Sequence, residues 1–319
     1  MVNIRDVAKR AGVGVGTVSR CLNNSGYVSR DTRLRIEEAV KELDFIPNQM
    51  ARNLSLRSNG LVGIIIIDIA HPFYAQLLSH IEMELYYQNY KTIVCNSNLK
   101  SNREKDFFEL LKKKAVDGII IHTRSMDVGD FYKSKKPIVT FDVNLGRDIP
   151  MIHSDHAKGG VLAARKLLEC GCTHIAQFIN RGGAHPSPIL ERFVTFEKEV
   201  KKAGLKVLNE AGTGSYVERV NKLFNEHPEV DGIFAVDLIA CAALKVAWQR
   251  KIPIPEKLKI VAYDGTYITE LTPQSITAVV QPVDELAKHT VNTIISLIEN
   301  RPVPPNIVLD VYLREGETT

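Results

Sequence analysis

Residues Ala11 to Ser29 read AGVGVGTVSRCLNNSGYVS, and the fold of the amino-terminal end follows from how this stretch stops one helix and starts another. Upstream, Asn3 is followed three residues on by Asp6, a spacing at which two side chains cap the free N–H groups that open a helix. Ile4, Val7, Ala8 and Ala11 then share one face, and Gly12 supplies the left-handed turn that ends the helix. A second helix is expected from Val15 to Leu22, with Val18 and Leu22 inward and Thr17, Ser19, Arg20 and Asn23 outward. Two short helices across a tight glycine turn make a helix-turn-helix, whose second helix enters the major groove of DNA. Ser29 is a good N-cap for a third helix, which places Leu34, Ile36, Val40 and Leu43 in a three-helix mini-core. The result is an all-α headpiece over residues 1–46, with a core so small that it is only marginally stable alone.

Charge agrees with nucleic acid as the partner. Residues 1–58 hold ten Lys/Arg and six Asp/Glu, residues 59–319 hold 31 of each, so the whole net charge of +4 sits at this end. Phosphate neutralisation needs it there, although an ordinary solvated surface carries similar balances.

The segment IRDVAKRAGVGVGTVSRCLNNSGYVSRDTRLRIEEAVKELDFIPNQMARNL closely resembles the headpiece of the lactose-repressor (LacI/GalR) family of bacterial transcription regulators. DVAKRAGV, TVSR, LN, VS, TR and PN occur together at that family's spacing, and the resemblance continues to the carboxyl terminus. It implies that Val15 and Arg20 read bases, while Thr17, Ser19, Asn23, Tyr27, Ser29 and Thr32 fix register on phosphates. Pro47 favours a boundary, and Asn48 is a plausible N-cap for a helix of two turns, too short to persist alone in water. The resemblance makes residues 47–60 a hinge and linker that orders on pseudo-palindromic operator DNA, with Asn48 and Ala51 in contact and Leu54 wedged between base steps of the minor groove. Gly14 stands where relatives carry Ser or Thr, and Gly16 leaves no side chain at a base-reading position. Direct readout therefore rests on few residues, and specificity leans on the hinge and on DNA deformability.

At 319 residues the chain exceeds one core, and 45% hydrophobic with 24% charged residues is the balance of a soluble globular protein. The longest apolar run, Leu61 to Ile67, has the length of a strand and falls far short of a membrane helix. The amino terminus lacks a secretory apolar region, which predicts a cytoplasmic protein. Cysteines at 21, 95, 170, 172 and 241 are odd in number and scattered, which argues against a disulfide framework. Cys170 and Cys172 lack a second Cys/His cluster nearby, so no metal is expected, and no cofactor motif is present.

From Leu61 onward short Val/Ile runs alternate with helical periodicity, the pattern of parallel sheets covered on both faces. Strands are expected at Val62 to Ile67, Thr92 to Cys95, Gly118 to Ile121, Ile138 to Phe141, His174 to Ile179, Gly232 to Val236, Ile260 to Ala262 and Ala278 to Val280. VDGI occurs at Val116 to Ile119 and again at Val230 to Ile233, a hint of duplicated architecture. Residues 61–319 should therefore form two α/β lobes that bind a ligand between them at strand carboxyl ends. The resemblance implies a periplasmic-binding-protein-like body with one lobe over 61–155 plus 282–306 and the other over 156–281 plus 307–319, the chain crossing near Asp155, Gln281 and Asn306.

A polyol site needs fixed acceptors and donors for hydroxyls and a flat apolar surface for the ring. Phe73 and Tyr74 follow the first strand, His122 and Asp142 end the third and fourth, and all match effector-contacting positions of relatives. Arg192 matches the family's effector-clamping arginine, and Asp264 an acid that accepts effector hydroxyls. Asp237 matches a further contact, but Val236 replaces the asparagine that often precedes it, and helix capping is the rival reading. Ser154 and Asp155 precede a helix and read as caps, and the single Trp248 as packing or interface. FDVNL and YDGTY are similar to the sucrose and raffinose repressor branch.

These readings predict a homodimeric or tetrameric, sugar-responsive transcriptional repressor. A corepressor or a phosphocarrier protein partner stays open as the controlling input, and a sugar-binding transport component shares the body fold but not the headpiece. Among enzymes, no GxGxxG, GxxxxGK[ST], GxSxG or HExxH is present, and His185 with Ser187 lacks an orienting acid.

Overall fold

A computed structural model of the chain describes residues 2–23, 26–45, 59–98, 101–123, 136–146, 148–179 and 187–319. They divide into a unit ending at Gly60 and a unit from Leu61 to Thr319. Asn48, Ala51, Leu54 and His185 lie outside the described residues.

In the first unit α1 (Ile4–Ala11) opens on a capping box: Asn3 Oδ1 accepts from the Arg5 N–H at 2.8 Å, and Asp6 Oδ2 from the Asn3 N–H at 2.9 Å. Gly12 ends it at φ 65°, a conformation that costs a residue without Cβ nothing. The Gly14 carbonyl accepts the first bonds of α2 (Val15–Asn23), from the Thr17 and Val18 N–H groups. Ser29 Oγ caps α3 (Arg30–Glu42) at the Thr32 N–H. Val7, Ala8, Ala11, Val18, Cys21, Ile36, Ala39 and Phe45 form the core. Leu34 departs from expectation and is exposed, because it lies about 200° around the helix from Ile36 and points away from the other two helices.

The second unit begins β1 (Leu61–Ile66), α4 (Pro72–Tyr87), β2 (Lys91–Asn96), α5 (Ser101–Lys112), β3 (Gly118–Ile121), β4 (Ile138–Phe141) and β5 (Met151–Ser154). It continues with α6 (His156–Glu169), β6 (Ile175–Phe178), α7 (Glu191–Lys202), β7 (Val207–Glu210), α8 (Tyr216–Glu226), β8 (Gly232–Val236), α9 (Asp237–Gln249), β9 (Lys259–Asp264) and β10 (Thr277–Val280). The last elements are α10 (Val283–Ile298), β11 (Asn306–Leu309) and β12 (Tyr312–Arg314). Two six-stranded sheets result, ordered β11-β5-β4-β3-β1-β2 and β12-β10-β9-β8-β6-β7, parallel except where β12 runs against β10. The first sheet is built from the chain before Asp155 together with a late return through β11, and the second from the chain between together with the final strand β12, so each sheet defines a lobe.

Continuous Val/Ile runs give the central strands β1, β3, β4, β8 and β10 two covered faces. α4 buries Phe73, Leu77, Ile81 and Leu85 along one stripe, and α10 returns to pack Leu286, Val291 and Ile294 into the same core. The second lobe has two cores, one on each face of its sheet, centred on Ile233, Ala243 and Ile260 and on Leu167, Phe196 and Phe234.

Four strands escaped the reading of the sequence: β5, β7, β11 and β12. The third crossing accordingly falls near Asp310 rather than near Asn306, because Asn306–Leu309 extends the first sheet beside β5 and only Tyr312–Arg314 joins the second. The lobe boundary expected at 306/307 therefore moves beyond Leu309. There the Asp155 N–H donates to the Leu309 carbonyl at 2.7 Å, and Lys158 Nζ meets Asp310 at 2.6 Å. Trp248, late in α9, is 81% exposed and therefore does not serve packing within the chain.

Candidate functional site

Two sites take shape, one in each unit. On the headpiece, α2 turns Val18 and Cys21 into the core, which leaves Val15, Gly16 and Arg20 on the exposed face and Thr17 and Ser19 half-buried. Arg20 Nε donates back to the Gly16 carbonyl at 3.3 Å, which leaves the terminal guanidinium nitrogens to reach outward. Tyr27, at 89% exposure, is an aromatic with no packing role. Ser29 is engaged twice, as acceptor for the Thr32 N–H and as donor to Thr32 Oγ1 at 2.9 Å. Asn23 closes α2. Val15, Thr17, Ser19 and Arg20 thus lie along one short helix, as a major-groove reader requires.

In the second unit, strand carboxyl ends from both lobes converge on a cleft lined by His71, Phe73, Tyr74, Asp142, Ile189, Arg192, Val236, Asp264 and Gln281. The first lobe contributes an aromatic wall. Tyr74 packs against His71, Phe73 and His122 with ring centroids 5.1, 5.5 and 5.1 Å apart, and His122 stacks on Phe141 at 4.8 Å. His122 Nδ1 lies 2.8 Å from the Phe141 carbonyl, which can only accept, so in the neutral ring Nε2 accepts from the Tyr74 hydroxyl at 2.9 Å.

The second lobe contributes the cation. Arg192 is buried, its guanidinium 4.3 Å from the centre of the Tyr263 ring and 5.0 Å from that of Phe193. Its nearest carboxylate contact is Asp264 at 3.7 Å, too long for a hydrogen bond, and its Nε has no partner. A buried guanidinium held flat by aromatic faces and short of acceptors is prepared for an oxygen-rich guest.

Burial pushes the Asp264 carboxyl above the ordinary carboxylate range, against the Arg192 charge, which lowers it. Gln281 Nε2 donates to Asp264 Oδ1 at 2.8 Å and Gln281 Oε1 accepts from Ser154 Oγ at 2.8 Å, so two crossing segments are tied together at the floor of the cleft. Burial would raise Asp142 as well, but the charge and hydrogen bond of His156, with His122 and His153 nearby, hold it below the ordinary range.

Phe73, Tyr74, Asp142, Arg192 and Asp264 are therefore brought together, with His122 immediately behind Tyr74. Asp237 is the exception. Its Oδ1 accepts from the Gly265 N–H at 3.1 Å, its Oδ2 from the Thr266 N–H at 2.7 Å and from Thr266 Oγ1 at 2.6 Å. It holds the turn after β9 in place of lining the cleft, and it does not cap α9 through its side chain. Asp155 is a cap, accepting from the Lys158 N–H at 2.8 Å, whereas Ser154 is a crossing tie. Gln281, His71 and Ile189 were not anticipated as lining. Asp264 ends β9 and Gln281 comes directly after the end of the neighbouring β10, and that strand-end position is the signal that could have found it. Among the described residues no group of His, Cys, Asp and Glu could hold a metal, and no helix is long and apolar enough to cross a membrane.

A helix-turn-helix joined in one chain to a two-lobed body with a polar cleft defines a ligand-responsive transcription regulator. Residues 3–48 match the model described as bacterial regulatory proteins, lacI family, and residues 164–319 match a periplasmic binding protein-like domain. The chain is 35% identical to the sucrose operon repressor of Streptococcus mutans over 100% of its own length and 99% of that protein. It is 32% identical to the ribose operon repressor of Halalkalibacterium halodurans, over 100% and 99% of the two chains. In structure it resembles the lac repressor dimer bound to operator and the anti-inducer ONPF, with a TM-score of 0.85, 23% identity, and 100% and 99% coverage. The chain belongs to the lacI family of bacterial regulatory proteins. It is a DNA-binding transcription regulator and not an enzyme.

Proposed function

We propose that this regulator represses a sugar-utilisation operon and releases its operator when a small sugar or sugar phosphate fills the cleft. The observation that carries the reading is Arg192, buried between aromatic rings with an unpartnered Nε, facing the carboxylates of Asp142 and Asp264 and the ring faces of Phe73 and Tyr74. Carboxylates accept from hydroxyls, the guanidinium donates to ring or glycosidic oxygens, and the aromatic wall takes the C–H face of a sugar. Relatives that act as sucrose and ribose operon repressors support the same class of effector. Phe73, Tyr74, His122, Asp142, Arg192, Asp264 and Gln281 are the proposed effector residues, and Asp237 serves them through the turn that carries Asp264.

On DNA, Val15 and Arg20 read bases, and Thr17, Ser19, Asn23, Tyr27, Ser29 and Thr32 set register on phosphates. Asn48, Ala51 and Leu54 form the hinge contact in a headpiece–hinge–body division at 1–46, 47–60 and 61–319. The protein acts in the cytoplasm as a homodimer on a pseudo-palindromic operator. Exposed Trp248 borders a groove of about 510 Å³ lined by Leu244, Ile252, Ile254 and Pro273, an apolar surface suited to cover by a second copy.

The experiment is a thermal-shift screen of sugars and sugar phosphates, followed by operator binding with and without each hit. A sugar that raises the melting temperature and weakens operator binding is expected. One that tightens operator binding identifies a corepressor, and the absence of any shift or any change in DNA affinity rejects the effector assignment.

A further inference from the structure

Asp142 belongs to the first lobe, at the end of β4, yet the second lobe holds it at two points. His156, the first residue of α6, places Nε2 2.8 Å from Asp142 Oδ1, and Ser187 Oγ donates to the Asp142 carbonyl at 2.6 Å. The backbone of Asp142 sits at φ 55°, an uncommon conformation for a residue with a side chain. On its other side His156 places Nδ1 2.7 Å from the hydroxyl of Tyr263, on β9. Asp142, His156 and Tyr263 are each 1–2% exposed.

The protons in this chain of contacts are ordered by chemistry. An ionised carboxylate only accepts, so His156 Nε2 carries a hydrogen and donates to Asp142, while Nδ1 shares a second hydrogen bond with the hydroxyl of Tyr263, which burial keeps protonated. Tyr263 is the ring on which Arg192 lies. The hydroxyl can stand there because Gly159, one turn into α6, has no side chain: a Cβ on it would come 2.7 Å from the Tyr263 ring and 2.8 Å from its oxygen. A buried series of contacts therefore runs from Arg192 through Tyr263 and His156 to Asp142, joining the cationic and anionic ends of the cleft and crossing from one lobe to the other.

We propose that His156 is a positioning residue of the effector site: it is the second lobe's grip on Asp142, and it presents that carboxylate to the cleft only while the lobes are shut. His156 is not part of the cleft lining, so it acts through Asp142 and not on the ligand. Ligand capture and lobe closure are coupled as a result, since the site is complete only in the closed arrangement. The inference rests on the cleft being the effector site.

Two full-length variants test it. His156→Phe keeps ring volume and removes both hydrogen bonds, whereas His156→Gln keeps an N–H donor for Asp142. Sucrose, ribose and their phosphate esters serve as probes, with affinity read by titration and ligand-free lobe contact read by hydrogen exchange over residues 138–146 and 187–193. In His156→Phe the dissociation constant for the sugar that binds wild type should rise about tenfold or more, with exchange accelerated in both segments. In His156→Gln both should return most of the way to wild type. Unchanged sugar affinity in His156→Phe, or equal loss in the two variants, overturns the proposal. If wild type takes none of these probes, the cleft assignment fails for them, and the exchange comparison alone still decides whether His156 holds the lobes together.

Discussion

Asp237 and Thr266 are joined twice, by the Thr266 N–H at 2.7 Å and by its hydroxyl at 2.6 Å, on the same carboxylate oxygen. With the Gly265 N–H on the other oxygen, one buried acid satisfies three donors of the turn that follows Asp264. Asp237→Ala strands those donors and should lower the stability of the body by about 3 kcal/mol in urea unfolding. Thr266→Val, which removes only the hydroxyl, should cost about 1 kcal/mol. An equal cost for the two would show that the backbone donors find other partners.

The same carboxylate gives a pH signature. Burial first, and the neighbouring charge of Asp264 next, push Asp237 up to about 7, whereas an unfolded chain holds the group near its ordinary value. Between those values the native state binds a proton that the unfolded state does not, so this pair lowers stability as pH rises toward about 7 and adds no further slope above it. Asp264→Asn removes the repelling charge and should flatten that fall. The check is melting temperature from about pH 5 to pH 8 for wild type and variant; identical slopes would remove the pair from the account.

Much of this architecture is legible without coordinates, and the failures have physical causes. Central strands announce themselves because both faces are covered and every residue is apolar, as in Gly232–Val236. β5 (MIHS) and β7 (VLNE) are short, carry polar residues and leave part of themselves half-buried, so no run marks them. The acids at strand ends were found by position, because a parallel sheet directs its strand carboxyl ends to the cleft. His156 was not, since its meaning depends on Asp142 and Tyr263, the latter 107 residues away in sequence. Asp237 was placed in the cleft by family position, and only the geometry of the adjacent turn shows its carboxylate fully engaged.

Arg192 cannot be exchanged for another cation. Lysine lacks the planar fork and cannot lie on Tyr263 as a guanidinium does. Arg192→Lys should therefore weaken sugar binding by about tenfold to a hundredfold, roughly 1.4 to 2.7 kcal/mol, while operator binding without sugar is retained. Titration of the sugar found by thermal shift decides this, and retained affinity would remove Arg192 from the ligand contacts.

Trp248 offers a test of assembly. A large aromatic at 81% exposure beside an apolar groove is a strong anchor for a second copy. Trp248→Glu should raise the dimer dissociation constant more than about tenfold, as read by sedimentation over a concentration series. Unaltered sedimentation would move the interface elsewhere.

Gly16 and Arg20 separate stability from readout within one helix. A Cβ on Gly16 would meet nothing within 4 Å, so Gly16→Ala fits without strain and should stabilise the headpiece by about 1 kcal/mol through helix propensity. The gain should appear as slower hydrogen exchange over residues 4–23 in the full chain. A methyl group adds no hydrogen bond to a base edge, so preference among operator sequences should be little changed. Arg20→Ala should do the reverse, leaving exchange alone and reducing discrimination at one guanine by about 1 to 3 kcal/mol, while non-specific binding changes less. Both predictions follow from the exposed face of α2, where Arg20 leans back on the Gly16 carbonyl. If Gly16→Ala reorders operator preference, the bare helix face at Gly16 is itself part of the readout, through a close approach to DNA that only glycine permits.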